Sequence, residues 1–177
     1  MDCPEAASSL FRGASLLGVL IKLVDARSWA SMSAPERKEL VSCYEEDVQE
    51  AADAAGTSID QAQSAFISWL DEEMNRGHTA YYIGRADGIL STMMRIHDDQ
   101  VPDELLIEAL QTITAAQRQG LASQLVCEVV RARPGRYCAD VHHANTASQA
   151  TFARAGFSKT ESPTPNHDRW RLDTTPG

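Results

Sequence analysis

One stretch, residues 105–122 (LLIEALQTITAAQRQGLA), constrains this chain more than any other. Residues 105–112 read as a strand. A short loop follows, and then a glycine-containing turn opens a helix that runs on through 123–130. At the turn, Gln117, Gly120 and Ala122 fit the pattern Q/R-x-x-G-x-G/A. Such a turn gathers backbone N–H groups at a helix N-terminus, which makes a ready anion site. Gly120 lets the backbone approach an anion closely, and small Ala122 keeps the next approach open. The competing reading of so short a motif is an ordinary strand-to-helix turn.

The rest of the sequence sets bounds on function. With 177 residues the chain is long enough for one domain with a real core. We expect a loose N-terminal tail over 1–13 and a single domain over 14–177. The apolar run beginning at Leu16 is broken at Lys22, too short to cross a bilayer, so no membrane partner is expected. The acidic start Met1-Asp2-Cys3-Pro4-Glu5 does not resemble a secretory signal. Cys3, Cys43, Cys127 and Cys138 have no metal or redox spacing, so we expect free thiols, no metal and a cytoplasmic setting.

Charge is unevenly spread. Residues 34–76 hold 11 acids and 3 bases, a net of −8, whereas 109–177 hold 8 bases and 5 acids, a net of +3. A solvated acidic helix face is the plain reading of the first segment. The functional one is that the two halves serve ligands of opposite charge. The overall charge of −9 argues against a nucleic-acid partner.

In chain order, 19–24 reads as a strand. Ser33, with Pro35 and Glu36, caps a helix in which Leu40, Tyr44, Val48, Ala51 and Ala55 recur at helical spacing up to Gly56. Ser58 and Gln61 cap a second helix, closed by Gly77. Residues 79–85 and 89–97 read as strands joined at Ala86-Asp87-Gly88, a hairpin signal. Residues 98–103 read as a polar connection. After the central strand and its helix come a strand at 136–143, a helix at 146–155 stopped by Gly156, and strands at 157–161 and 169–173.

This order, with a phosphate-type turn after the fourth strand, resembles the GNAT family of N-acetyltransferases. A second segment carries the resemblance further. Asn145, Phe152, Gly156 and Phe157 stand where the family has N-x-x-A-x-x-x-Y-x-x-x-G-F. The family implies an α/β (α+β) fold: a mixed, mostly antiparallel sheet splayed between strands four and five, surrounded by about four helices. It also implies acetyl-CoA as co-substrate, lying in the V-shaped opening. By resemblance, the backbone of Leu110, Gln111 and Thr112 would pair with the pantetheine arm like an added strand. The N–H groups of Gln117, Arg118, Gln119, Gly120, Leu121, Ala122 and Ser123 would hold the pyrophosphate. Asn145 matches the family asparagine that reaches the pantetheine; the other reading is a helix cap, and both can hold.

The chain departs from the family at Thr114, where a proline is usual, and at Gln117. A further departure is Phe152, which replaces the tyrosine that protonates the departing thiolate; phenylalanine cannot donate a proton. Phe152 is expected to line the cofactor side and pack in the core. Glu108 is the expected general base. Strand alternation would put it on one face with Leu106, Leu110 and Thr112. The competing reading is a salt-bridged strand glutamate. His142 and His143 are the second choices, one toward each face.

The expected acceptor is a cationic primary amine, a polyamine or an aminoglycoside-like molecule, because the helices that wall the acceptor side carry the acidic segment. A lysine or N-terminal amine of a peptide is an alternative. Without an appended docking domain, the small molecule is favoured. A second copy of the chain, in a homodimer, is a further partner to consider. The rival from another class is an acyl-CoA-binding sensor without catalysis, which Phe152 favours.

Overall fold

The computed structural model describes residues 19–176; the expected tail at 1–13 and Cys3 lie outside them. A seven-stranded sheet runs in the order β1-β2-β3-β4-β5-β7-β6. Its strands are β1 (Val19–Val24), β2 (Thr79–Ala86), β3 (Ile89–Val101), β4 (Glu104–Thr112), β5 (Arg136–His142), β6 (Ser158–Thr164) and β7 (His167–Asp173). Every neighbouring pair is antiparallel except β4 and β5. The helices are α1 (Ala26–Ser31), α2 (Ala34–Val41), α3 (Glu45–Ala55), α4 (Ile59–Arg76), α5 (Leu121–Ala132) and α6 (Thr146–Arg154). No helix among the described residues is long and apolar enough to cross a membrane.

Each face of the sheet has its own core. On one face, Tyr82, Met94, Ile96, Ile107, Tyr137, Ala139 and Val141 pack against Leu125, Val126 and Val129 of α5 and Phe152 of α6. On the other, Tyr81, Ile83, Leu90 and Met93 pack against Trp29, Leu40, Val48, Leu70 and Met74 from α1–α4. Helix α5 forms where expected, and its Leu121, Leu125, Val126 and Val129 make one apolar stripe.

Four expectations change. The helix expected from Ser33 to Gly56 is broken by a 3-10 turn at Ser42–Tyr44. Leu40, Val41, Cys43 and Tyr44 are all buried. Four apolar residues among five cannot share one helical stripe, so the chain turns to bury them all. Helix α1 was not expected; Asp25 caps it, its carboxylate accepting from the Ser28 N–H at 2.8 Å. The described residues therefore hold two more helices than the expected four, both from the division and extension of the segment before β2. The connection at 98–103 is mostly strand. β3 continues to Val101, and Pro102 and Asp103 (φ 58°) turn directly into β4, with Val101 opposite Glu104. The last hairpin is likewise longer and tighter, turning at Pro165 and Asn166, with Thr164 opposite His167.

Candidate active site

β4 and β5 touch only at their beginnings. Leu105 lies opposite Tyr137 and Leu106 opposite Cys138; beyond these pairs the strands separate. β4 from Ile107 to Thr112 and β5 from Ala139 to His142 thus present unpaired edges to one opening. An unpaired edge of this kind leaves backbone groups without strand partners, and an extended, amide-bearing chain laid between the strands would supply them.

The separation coincides with a bulge in β4. Ala109 has φ 46°, and only Met94 of β3 stands across from Ala109 and Leu110, between the pairs Arg95–Glu108 and Met93–Gln111. The extra residue breaks alternation. Ile107 and Leu110 both pack on the α5 side, although they stand three positions apart, while Ala109 packs on the α1–α4 side. Glu108 therefore does not share a face with Leu110 and Thr112, as simple alternation would have it. Thr112 bonds Thr92 at 3.1 Å, whereas Glu108 points to the α1–α4 side with Arg95 and His97.

Glu108 is held by two donors on one oxygen. Arg95 Nη2 reaches Oε2 at 2.9 Å and His97 Nε2 reaches the same atom at 3.0 Å. The His97 hydrogen bond and the Arg95 charge, working against partial burial, hold the carboxyl down at about 2. The indole of Trp69, on α4, lies over the Arg95 guanidinium, 5.0 Å from ring centroid to Cζ. Phe66 and Tyr44 continue the aromatic wall, and the Tyr44 and Tyr81 hydroxyls meet at 3.0 Å beneath it. Glu108 is thus ion-paired with Arg95 and His97, and it faces the helices expected to wall the acceptor side.

Those helices bring their acids to β4. Asp47 Oδ2 accepts from Gln111 Nε2 at 3.2 Å, and Glu45 Oε2 accepts from Thr114 Oγ1 at 3.0 Å. Burial and the neighbouring Glu46 and Glu50 push the Asp47 carboxyl up. A groove of about 560 Å³ runs along α3, lined by Glu45, Glu46, Gln49, Glu50, Asp53 and Ala54.

The expected turn into α5 is present. After a 3-10 turn at Thr114–Ala116, Arg118 (φ 62°) and Gly120 (φ 80°) curl the chain, and α5 begins at Leu121. Among the described residues, no protein acceptor takes the backbone N–H groups of 118–123; the helix ladder starts with Gln124 N–H to Gly120 C=O at 3.0 Å. A Cβ on Gly120 would meet nothing within 4 Å, so the left-handed φ is what the protein itself requires of this position. The residues therefore fit a phosphate-bearing ligand: open donors, a helix dipole and clear space. Gln117 and Gln119 turn their amides inward, to the carbonyls of Thr112 and Ala115, both at 3.3 Å.

The remaining candidates separate. Asn145 is the cap of α6, its Oδ1 accepting from Ser148 N–H at 3.0 Å, so only its amide NH2 is left for a ligand. Phe152 is 3% exposed and packs edge-on against Phe157, a core residue that brings no polar group to the opening. His143 pairs with buried Asp168 at 3.1 Å. The His142 ring instead lies near His167, with centroids 5.1 Å apart, and accepts from Ala144 N–H. Alternation does divide the two histidines, and neither meets Glu108. Arg95, His97 and Trp69 carry no sequence motif; only their alternation along β3 and the α4 spacing point to this face.

The profile of the acetyltransferase (GNAT) family matches residues 37–157. No curated protein matches this chain by sequence. Among solved structures, the Campylobacter jejuni N-acetyltransferase PseH in complex with acetyl coenzyme A superposes with a TM-score of 0.57 at 12% identity, over 88% of this chain and 100% of that one. The PaiA N-acetyltransferase from Thermoplasma acidophilum, in complex with coenzyme A, gives 0.58 at 12%, over 86% and 98%. RimL, a ribosomal alpha-N-protein acetyltransferase in complex with coenzyme A, gives 0.60 at 15%, over 89% and 94%. At these identities the likeness establishes a shared fold.

Proposed function

The chain belongs to the acetyltransferase (GNAT) family, enzymes that use acetyl-CoA for N-acetylation, and on that premise we propose that it acetylates a primary amine of a cationic small molecule, with Glu108 facing the acceptor. The observation that carries this reading is the position of Glu108 beside the β4 bulge, on the face walled by acidic α3. Polyamines and aminoglycoside-like amines are the acceptor classes whose charge suits that wall. Acetyl-CoA lies along Leu110, Gln111 and Thr112, with its pyrophosphate over 117–123. Free Cys43, Cys127 and Cys138 suit a reducing cytoplasm.

In the reaction the amine nitrogen attacks the thioester carbon. The C–N bond forms, the C–S bond breaks, and the nitrogen gives up a proton. A carboxyl near 2 is a poor base toward an alkyl ammonium near 10, a mismatch of about 8 units or roughly 11 kcal/mol. The acceptor therefore reacts as its neutral amine. Glu108 draws the proton once the nitrogen has bonded to carbon and become far more acidic. The thiolate leaves without help from Phe152: a thiol near 8.5 is acidic enough for its anion to depart unprotonated and to take its proton from solvent buffer afterwards.

The test is thiol release with a panel of amines, run beside calorimetry of acetyl-CoA binding. Release with polyamines or aminoglycosides supports the reading, and release only with peptide amines would move the acceptor to a protein, as RimL's name describes for that protein. The buried, hydroxyl-free Phe152 favours one rival, a CoA-binding module without turnover. Tight CoA binding with no thiol released by any amine would establish that rival.

A further inference from the structure

The Glu108 carboxylate has two oxygens in unequal surroundings. Arg95 and His97 both hold Oε2. Oε1 takes no bond from the protein among the described residues, and the side chain is 40% exposed. The two donors are themselves fixed. His97 is 6% exposed at its side chain, and its Nδ1 lies 3.0 Å from Thr79 Oγ1, which is also buried. A carboxylate can only accept, so Nε2 is the ring nitrogen that donates to Glu108, while Nδ1 is tied to the Thr79 hydroxyl. Arg95 is 13% exposed at its side chain and roofed by Trp69.

We infer that Arg95, His97 and Thr79 form a positioning clamp that grips one oxygen of Glu108 and turns the other toward the acceptor nitrogen. This inference rests on the reading of Glu108 as the acceptor-facing carboxylate. The clamp fixes direction: two donors converging on one atom from β3 leave the carboxylate a single rotamer, and the Thr79 hydroxyl in turn fixes the ring that supplies one of them. An acceptor amine thus meets an oriented lone pair and loses little entropy in reaching an attack geometry. The bulge at Ala109 completes the arrangement, because it sends Leu110 to the CoA side while Glu108 stays with the clamp. The other titratable groups around the clamp are Tyr81 on β2, Tyr44 on the 3-10 turn and Asp47 on α3. Burial keeps both tyrosines neutral, so Arg95 and His97 are the groups that set the Glu108 charge state.

The experiment compares His97→Leu, His97→Gln and Thr79→Val with wild type. Gln places an amide N–H near the position of Nε2 and should restore the donor, whereas Leu cannot. The expected result is a fall of about tenfold or more in kcat for His97→Leu, unchanged KM for acetyl-CoA, and a His97→Gln rate within a few-fold of wild type. A second readout is 13C NMR of the Glu108 carboxyl. It should show no titration down to pH 3.5 in wild type, and a midpoint raised by about one unit or more in His97→Leu. Thr79→Val should move the same midpoint in the same direction, and it decides the matter if His97→Leu does not fold. Wild-type kcat together with an unmoved carboxyl midpoint in folded His97→Leu or Thr79→Val would overturn the clamp. Wild-type turnover in Glu108→Gln would overturn the underlying reading instead, so the two failures are distinct.

Discussion

Glu108 is the residue on which activity should turn. Glu108→Gln keeps the shape and can still accept from Arg95 and His97, but its amide cannot take a proton from nitrogen. Turnover should fall about 10²-fold or more, with acetyl-CoA affinity near wild type by calorimetry. Because the carboxyl is held at about 2, it should impose no acid limb on kcat/KM in the range where the protein is folded. The rate should instead climb with pH toward the acceptor's own amine value, and a plateau already reached near pH 6 would contradict this. Gly120→Glu should abolish CoA binding by bulk and charge among the donors at the start of α5. Gly120→Asn is the control, since asparagine tolerates a φ of 80° better than most residues and adds no charge. Wild-type CoA affinity in folded Gly120→Glu would displace the cofactor from this turn. Glu108 and Gly120 were both candidates from the sequence, Glu108 by its place on the strand and Gly120 by its motif. Arg95 and His97 were not, because residues two apart on a neighbouring strand carry no local signature of the carboxylate they share.

At the scale of elements, the β4 bulge decides the geometry. Ala109 holds a left-handed φ of 46° inside a strand, a conformation that costs an L-residue about 1–2 kcal/mol. Ala109→Val should destabilise the protein by about 2 kcal/mol or more, since a β-branched side chain is a true outlier there. It should also weaken acetyl-CoA binding, because the strand can relieve the strain only by altering its pairing. Denaturant unfolding and calorimetry would show both effects, and a Val variant as stable as wild type would mean that the bulge is not strained. The opening between β4 and β5 has the complementary cause. The strands run parallel and are joined through α5, which starts at Leu121 beside the wide end of the split and packs its apolar stripe across β2 and β3.

Across the whole molecule, charge separates two ligand sides. Asp47 and Glu45 stand against β4, so the double variant Glu45→Gln, Asp47→Asn should raise KM for a dicationic amine several-fold and leave KM for acetyl-CoA unchanged. Added salt should weaken amine binding in wild type more than in the variant. Equal salt dependence in the two would detach the acidic face from acceptor choice. Stability has its own pH signature. The carboxyls of Asp25, Glu39, Glu108, Asp168 and Asp173 are all lowered by hydrogen bonds or cations in the folded chain. A lowered folded value means that the unfolded chain binds protons first. The stabilisation is then complete above the ordinary carboxyl range near 4 and is lost as pH falls through the folded values. Thermal midpoints should stay nearly level from pH 8 to about 5.5 and drop below about 4.5.

Local physics decided much of this protein within the sequence itself. Apolar period set the strands and helices, Ser58 and Gly77 set the ends of α4, and the glycine of the 117–122 turn set the start of α5. These are interactions between residues a few positions apart, so their pattern is written along the chain. The tertiary structure decided what depends on distant partners. It bent the helix at Ser42–Tyr44 to bury Cys43 and Tyr44, and it drew 98–101 into β3 because β4 was there to pair with it. It placed one extra residue in β4, which reversed the face of everything from Leu110 onward. A single bulge does not change composition or spacing, and only the neighbouring strand, one residue short across from it, reveals which way Glu108 points.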